Sequence, residues 1–230
     1  MAALAAVSER QREFELLRAR LSAKPPALPV EGLIPTEIPE LDQLLGGGFP
    51  AGIVATLEGK TGCWSLAAGL VARATRRSLV AILDDGSLYP PTLAQAGASL
   101  ERVLVVPARK AVAIARAADI LLRSRICRLV LMPAVALRDV VWTRLAALAH
   151  RSGVLLIVVA TRAGAALQSA AVVRLHCVLE RIITRGQRGL WGTIEGFELC
   201  VDVRKHKYLA AGQTACVRVG HEETFDAALR

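Results

Sequence analysis

The chain has 230 residues, a hydrophobic fraction of 53% and a formal net charge of +9. This length suits one substantial α/β domain with short appendages. No apolar run reaches the roughly 18–20 residues that span a bilayer, and the Ala-rich start lacks the basic and apolar segments of a signal peptide, so we expect no membrane association. The positive charge favours a polyanionic or acidic partner, although an arginine-rich solvated surface would give the same charge.

Residues 8–23 are predicted to form an amphipathic helix. Phe14, Leu17 and Leu21 fall on one face of that helix, and a proline-rich hinge follows at residues 24–29. A helix separated from its domain by such a hinge often packs on another protein, so these three side chains are candidate partner-binding residues. Packing back onto the core of the same chain is the alternative.

From residue 34 the sequence alternates between strand-like and helix-like segments. The predicted strands are 53–57, 78–83, 103–106, 129–132 and 154–160, and the predicted helices are 65–75, 91–96, 111–124 and 138–151. This alternation predicts a mostly parallel sheet with helices on both faces. Segments 173–180, 199–203 and 214–219 are predicted to add as antiparallel strands to one edge. The expected division is an appendage at 1–29, a core at 30–221 and a tail at 222–230.

Between the first predicted strand and its helix lies a degenerate phosphate-binding loop. A working loop reads Gly-x-x-x-x-Gly-Lys-Ser/Thr, because backbone N–H groups and a lysine hold the phosphates. In that frame the first glycine is Glu58, the second is Cys63, the lysine is Trp64, and only Ser65 keeps its hydroxyl. A carboxylate and an indole are therefore predicted where phosphates would bind, with Trp64 filling the vacated pocket and no cofactor bound.

A shifted Gly-Lys-Thr triplet lies inside the same segment. It contains Lys60 and Thr61, and it would place its first glycine position within the strand. Because a phosphate-binding loop needs its strand–loop–helix context, residual nucleotide binding through this triplet is the less favoured alternative.

The five cysteines, Cys63, Cys127, Cys177, Cys200 and Cys216, are scattered and show no metal-ligand spacing. This usage is typical of small buried hydrophobic residues in a reducing compartment. We therefore expect a cytoplasmic protein with no bound metal ion.

Several segments resemble the RecA core over residues 34–219. The lead-in at 34–54 is similar to the RecA segment before its Walker A loop, and segments 83–90, 128–137, 155–161 and 201–207 are similar to later RecA strands. The resemblance implies a RecA-like P-loop core with an N-terminal helix and antiparallel C-terminal strands.

The same resemblance implies where catalysis has been lost. The Walker B aspartate is replaced by Met132, the glutamate that polarises water by Gly86, and the glutamine that senses the γ-phosphate by Thr161. These replacements remove the groups that would contact the metal ion, the attacking water and the γ-phosphate. Together with Trp64, these changes predict a protein that is not an enzyme and has no catalytic residues.

Two groups of basic residues are candidate contacts for DNA or for a protein interface. One comprises Arg204, Lys205 and Lys207, and the other comprises Arg181, Arg185 and Arg188 in a turn before Trp191. A solvated strand edge and a hairpin tip with a packing tryptophan are the alternatives.

A RecA-like chain without the motor motifs is most similar to ImuA, an accessory protein of damage-induced mutagenesis. This resemblance implies a role in the SOS response and translesion synthesis. The implied partners are RecA, an ImuB-like Y-family polymerase homologue and an error-prone C-family DNA polymerase, with DNA as a further candidate. A SulA-like cell-division inhibitor and a RecA-type DNA-dependent ATPase with an atypical loop are the alternatives.

Overall fold

The computed structural model describes residues 32–185 and 193–220. The predicted appendage at 1–29 with Phe14, Leu17 and Leu21, the tail at 222–230, and Arg188 lie outside the described residues. Arg185 is described only through its backbone.

The described chain folds into one large sheet flanked by helices. The strands are β1 (Leu33–Ile34), β2 (Phe49–Pro50), β3 (Val54–Glu58), β4 (Leu79–Asp84), β5 (Val103–Pro107), β6 (Cys127–Pro133), β7 (Leu155–Ala160), β8 (Val173–Arg185), β9 (Thr193–His206) and β10 (Thr214–Gly220). The helices are α1 (Pro39–Leu44), α2 (Cys63–Ala74), α3 (Pro90–Gln95), α4 (Ala111–Ser124), α5 (Asp139–Ser152) and α6 (Ala165–Ala170), with a 3₁₀ turn at Leu100–Arg102.

The main sheet has the strand order β10-β9-β8-β3-β7-β6-β4-β5. The five strands β3, β7, β6, β4 and β5 pair in parallel in that order, as predicted from their continuous apolar runs. The C-terminal strands β9 and β10 are antiparallel, which confirms the predicted fold class. One detail of the prediction is wrong, because β8 joins β3 in parallel and only then turns back into β9.

The sheet separates two apolar cores. Along β3, Ala55 and Leu57 pack on the side of α2, whereas Val54 packs on the side of α4 and α5. This alternation follows from the period of two residues in a strand. Each face of the sheet is thereby covered by helices, and none of the helices in the described ranges is long and apolar enough to cross a membrane.

The cysteines divide into two classes. Cys63, Cys127 and Cys177 are buried, in agreement with the sequence prediction. The prediction is wrong for Cys200, which is partly exposed, and for Cys216, which is exposed, because both face away from the core.

The lead-in before β3 is fixed by a tight crossing of two backbones. Gly48 has φ +130°, and a Cβ atom there would overlap the carbonyl oxygen of Ile34 and lie 2.8 Å from the Pro35 Cα. Ile34 pairs with Phe49 in the small β1–β2 sheet. Only glycine permits this approach without moving β1.

We therefore expect Gly48→Ala to destabilise the fold by roughly 3 kcal/mol, since it combines backbone strain with an overlap. Gly153→Ala is the matched control, because Gly153 has φ +72° but no atom near its Cβ position. The control should cost only about 1 kcal/mol. Urea unfolding measures both, and equal losses would show that the crossing is not tight.

Candidate functional site

A cleft of about 360 Å³ lies at the carboxyl ends of the central parallel strands. The loop after β3, the start of α2, and the segments after β4, β6 and β7 line it. Ligands of open α/β sheets bind in this crevice. The structure therefore places the degenerate loop where a nucleotide would bind.

The loop between β3 and α2 has four residues and packs closely against the neighbouring strands β7 and β8. Gly59 has φ +153°, and a Cβ atom there would overlap the carbonyl oxygen of Cys177 on β8. The Gly59 N–H donates to the Ala160 carbonyl at 3.0 Å. This N–H is therefore engaged by β7 and is not available to a phosphate.

Glu58 does not face the phosphate position, contrary to the sequence prediction. It lies on the same side of β3 as Thr56, away from the α2 side to which Leu57 points. Its carboxylate is buried and accepts two hydrogen bonds from Arg174, at 2.8 and 3.1 Å. It also accepts the Thr56 hydroxyl at 2.8 Å and the Ala163 N–H at 3.2 Å.

These contacts determine the charge of Glu58. Burial alone would raise its pKa, but the hydrogen bonds from Arg174, Thr56 and the Ala163 N–H outweigh burial and lower the pKa. Glu58 is therefore an ionised anchor that joins β3, β8 and the segment after β7.

Trp64 lines the cleft without filling it. Its side chain is 39% exposed, so the predicted plug is wrong. Lys60 and Arg162 add positive charge to the same cleft, and Ser65 lines it beside Trp64. The Thr61 hydroxyl accepts the Leu179 N–H at 3.4 Å. Asp85 adds a carboxylate to the same lining, so the cleft has mixed charge and lacks the lysine and glycine pattern of an active loop.

The other positions that the RecA resemblance assigns to catalysis hold Met132, Gly86 and Thr161, and Asp85 beside Gly86 lines the cleft. Met132 is fully buried in the core on the α4 and α5 side. At the Gly86 position the backbone N–H donates to the Asp84 carboxylate at 2.9 Å, and Asp85 accepts the Ser87 N–H at 3.1 Å. Thr161 lines the cleft, but a hydroxyl lacks the reach of glutamine. Within 32–185 and 193–220, no three potential metal ligands lie together.

Of the basic residues whose side chains the structure describes, Arg181 lies apart from Arg204, Lys205 and Lys207. Arg181 pairs with Glu198 at 2.6 Å and lies seven residues along β8 from Arg174, which is about 23 Å at roughly 3.3 Å per residue. Arg174 pairs in register with Lys205 on β9. Arg204, Lys205 and Lys207 therefore lie near the other end of the sheet.

Within that second group the side chains differ in their contacts. Lys205 donates to the carbonyls of Gln168 and Ser169, at 3.0 and 3.3 Å, and thus binds the end of α6. Burial lowers the pKa of Lys205, and the nearby Arg174 adds to this. Arg204 pairs with Asp202 at 3.1 Å. The exposed Lys207, whose ammonium lies 5.9 Å from the Tyr208 ring centroid, is the best placed of the three to meet a partner.

An apolar groove between α4 and α5 was not found from the sequence. It has a volume of about 590 Å³, and Val112, Ile120, Leu137 and Val141 contribute to its lining. Val112 and Ile120 are 62% and 66% exposed. Their spacing of eight residues is a sequence signal for a second apolar stripe on α4, in addition to the buried stripe.

The comparisons with known proteins support the fold alone. No protein-family model and no curated protein sequence matches the chain. Among solved structures the chain is similar to the crystal structure of the RadB recombinase, with a TM-score of 0.61 and 19% sequence identity, over 79% of this chain and 93% of that chain. The chain therefore has a RecA-like fold.

We expect Glu58→Gln to lower the free energy of unfolding by about 3 kcal/mol at pH 7, because it leaves the partly buried Arg174 beside an uncharged partner. The folded-state pKa of Glu58 is depressed, so its contribution is present above the unfolded pKa near 4.5 and is lost as pH falls through the folded value. The difference between wild type and variant should therefore shrink below about pH 4.5. Glu101→Gln, at an exposed glutamate, is the control and should change stability by less than about 0.5 kcal/mol. A gap between wild type and Glu58→Gln that is independent of pH would contradict an ionised Glu58.

Proposed function

We propose that this chain is a catalytically inactive RecA-like accessory protein of the DNA-damage response. It acts in translesion mutagenesis by binding RecA or the mutasome polymerases, in the cytoplasm. The proposal is supported by Trp64, Met132, Gly86 and Thr161, which stand where the sequence resemblance to RecA implies catalytic groups, within a RecA-like fold. A fold that keeps its core and loses its chemistry is suited to binding.

The groove between α4 and α5 supports a role in protein binding. Its exposed apolar side chains lie beside Asp119, which is held by Arg123 at 2.6 Å and Arg144 at 2.8 Å. An apolar centre with a polar border is typical of protein interfaces. We assign this groove to an apolar segment of a RecA protomer or a mutasome polymerase, with Phe14, Leu17 and Leu21 as a second proposed contact.

The proposal makes DNA a secondary partner. Arg181 and Arg204 are paired with carboxylates, which reduces the charge available to phosphates. Exposed Lys207 remains available for a salt-sensitive contact.

We expect no ATP turnover by the purified chain, with or without single-stranded DNA. The reason is that Trp64 stands at the lysine position and the buried Met132 at the metal-binding position that the RecA resemblance implies. A coupled-enzyme assay measures turnover in the wild type, in Lys60→Ala and in the control Lys110→Ala, whose lysine is exposed outside the cleft. Turnover that Lys60→Ala abolishes and Lys110→Ala retains would establish the ATPase alternative.

We expect the chain to bind RecA and to change its ATP turnover on single-stranded DNA. Ile120→Glu should raise the concentration of the chain that gives the half-maximal effect at least tenfold, because it places a charge in the apolar groove. Ile126→Glu is the matched control, since Ile126 is 63% exposed and lies outside the groove lining. Titration of the RecA turnover rate, in parallel with a pull-down, measures both.

Equal effects of the two glutamate variants would exclude the groove as the contact. Absence of RecA binding, together with binding to an ImuB-like protein, would assign the role to the mutasome polymerases alone. If neither is bound, the SulA-like alternative takes precedence.

A further inference from the structure

Two of the five cysteines lie opposite each other on neighbouring strands. Cys200 of β9 is the register partner of Cys216 of β10. Leu199, Val201 and Val217 next to them are buried, so the two cysteines point to the other face of the sheet. Cys216 is exposed and Cys200 is partly exposed.

The backbone hydrogen bonds identify the type of this pair. The Val203 N–H donates to the Gln213 carbonyl at 2.8 Å, and these residues are opposite because Asp202 faces Thr214. Hydrogen-bonded and non-hydrogen-bonded pairs alternate in an antiparallel ladder. Three steps along from Val203, Cys200 and Cys216 therefore form a non-hydrogen-bonded pair, in which side chains approach most closely.

The flanking pairs of the same type confirm that side chains meet across these strands. On one side, the Thr214 hydroxyl donates to Asp202 at 2.7 Å. On the other, the Arg218 guanidinium donates to Glu198 at 3.1 Å. Non-hydrogen-bonded pairs have a Cα separation near about 4.5 Å, which lies inside the disulfide range of about 4.4–6.8 Å.

We propose that Cys200 and Cys216 are a redox modification site, a surface dithiol that closes to a cross-strand disulfide by exchange with a low-molecular-weight disulfide such as oxidised glutathione. The Cys216 thiolate attacks one sulfur of the small disulfide, breaks its S–S bond and releases one small thiol. The Cys200 thiolate then attacks the Cys216 sulfur of the mixed disulfide and releases the second small thiol. Two protein thiols are oxidised, one small disulfide is reduced, and the two protons pass to the departing thiolates.

The order of attack follows from exposure, and the rate follows from charge. Cys216 is the more accessible thiol, so it reacts first and Cys200 resolves the mixed disulfide. Although Cys216 is exposed, partial desolvation by its neighbours raises its pKa, and the Glu198 carboxylate adds to this. Burial and the Asp202 carboxylate likewise raise the pKa of Cys200. The exchange should therefore be slow at neutral pH and accelerate as pH rises.

The other cysteines provide an internal comparison. Cys63 and Cys177 lie beside the degenerate loop and are buried, and Cys127 is buried at the start of β6. Their burial makes them much less accessible to a dissolved disulfide than Cys216, and Cys63 is the one of the three that lines the cleft. The native protein should therefore expose two reactive thiols per chain, and both should disappear on oxidation.

The test uses the full chain, reduced and then incubated with oxidised glutathione at pH 8 without denaturant. Non-reducing tryptic digestion should join the peptide ending at Arg204 to the peptide ending at Arg218, with loss of two hydrogens, because cleavage sites at Lys205 and Lys207 lie between the two cysteines. Cys200→Ser should instead accumulate a stable glutathione adduct on Cys216. Cys216→Ser should react at least tenfold more slowly, and Cys127→Ser should behave as wild type.

Three results would overturn the proposal. The first is adducts on both cysteines of the wild type with no linked peptide. The second is a linked peptide that forms only in denaturant. The third is a Cys63–Cys177 link that forms as fast as the Cys200–Cys216 link. If a serine variant fails to fold, the linked peptide of the wild type and its rise in rate between pH 7 and pH 9 still decide the question.

Discussion

The Glu58 carboxylate joins three parts of the chain at the centre of the sheet. It ends β3 and accepts hydrogen bonds from Thr56 on its own strand, from Arg174 on β8 and from the Ala163 N–H after β7. The strands β7 and β8 on either side of β3 are thereby tied to it. Because a buried carboxylate without such partners would be strongly destabilising, this arrangement constrains the positions of β7 and β8 together.

This anchor also explains the form of the degenerate loop. The chain leaves Glu58 with its carboxylate held on one face of the sheet, and the next residue, Gly59, is held by Ala160 and packs against Cys177. The loop therefore has little freedom to arch over a ligand. An active phosphate-binding loop needs converging N–H groups at this point, so the structural use of Glu58 and Gly59 competes directly with phosphate binding.

The elements that the sequence predicted well are those determined by local pattern. The parallel strands, such as Leu155–Ala160, are buried on both faces and have continuous apolar runs, so their positions follow from composition. The length of the β8–β9 hairpin was underestimated from the sequence. Its outer parts contain exposed charged residues, such as Glu180 and Arg181, which weaken the strand pattern.

The details of the site were less predictable, because they depend on which face of a strand each side chain occupies and on how the strands pair. Whether Glu58 faces the cleft changes with a shift of one residue along β3. The exposure of Trp64 depends on the rotation of α2 about its axis, which is set by packing across the sheet. The pairing of Cys200 with Cys216 depends on the register of β9 and β10, which their spacing in the sequence does not specify.

The groove between α4 and α5 is separated from the cleft by its place in the fold. The cleft is formed by loops at the carboxyl ends of the strands, whereas the groove lies between two helices that cover one face of the sheet. Helix α4 buries Ile114 and Leu122 on that sheet and leaves Val112 and Ile120 to the solvent. Because no cleft residue contributes to the groove lining, the catalytic positions can change without altering the apolar surface. Exposed apolar side chains on a folded helix carry a hydration cost that a partner would remove, so the proposed binding role of the groove does not depend on the residues of the cleft.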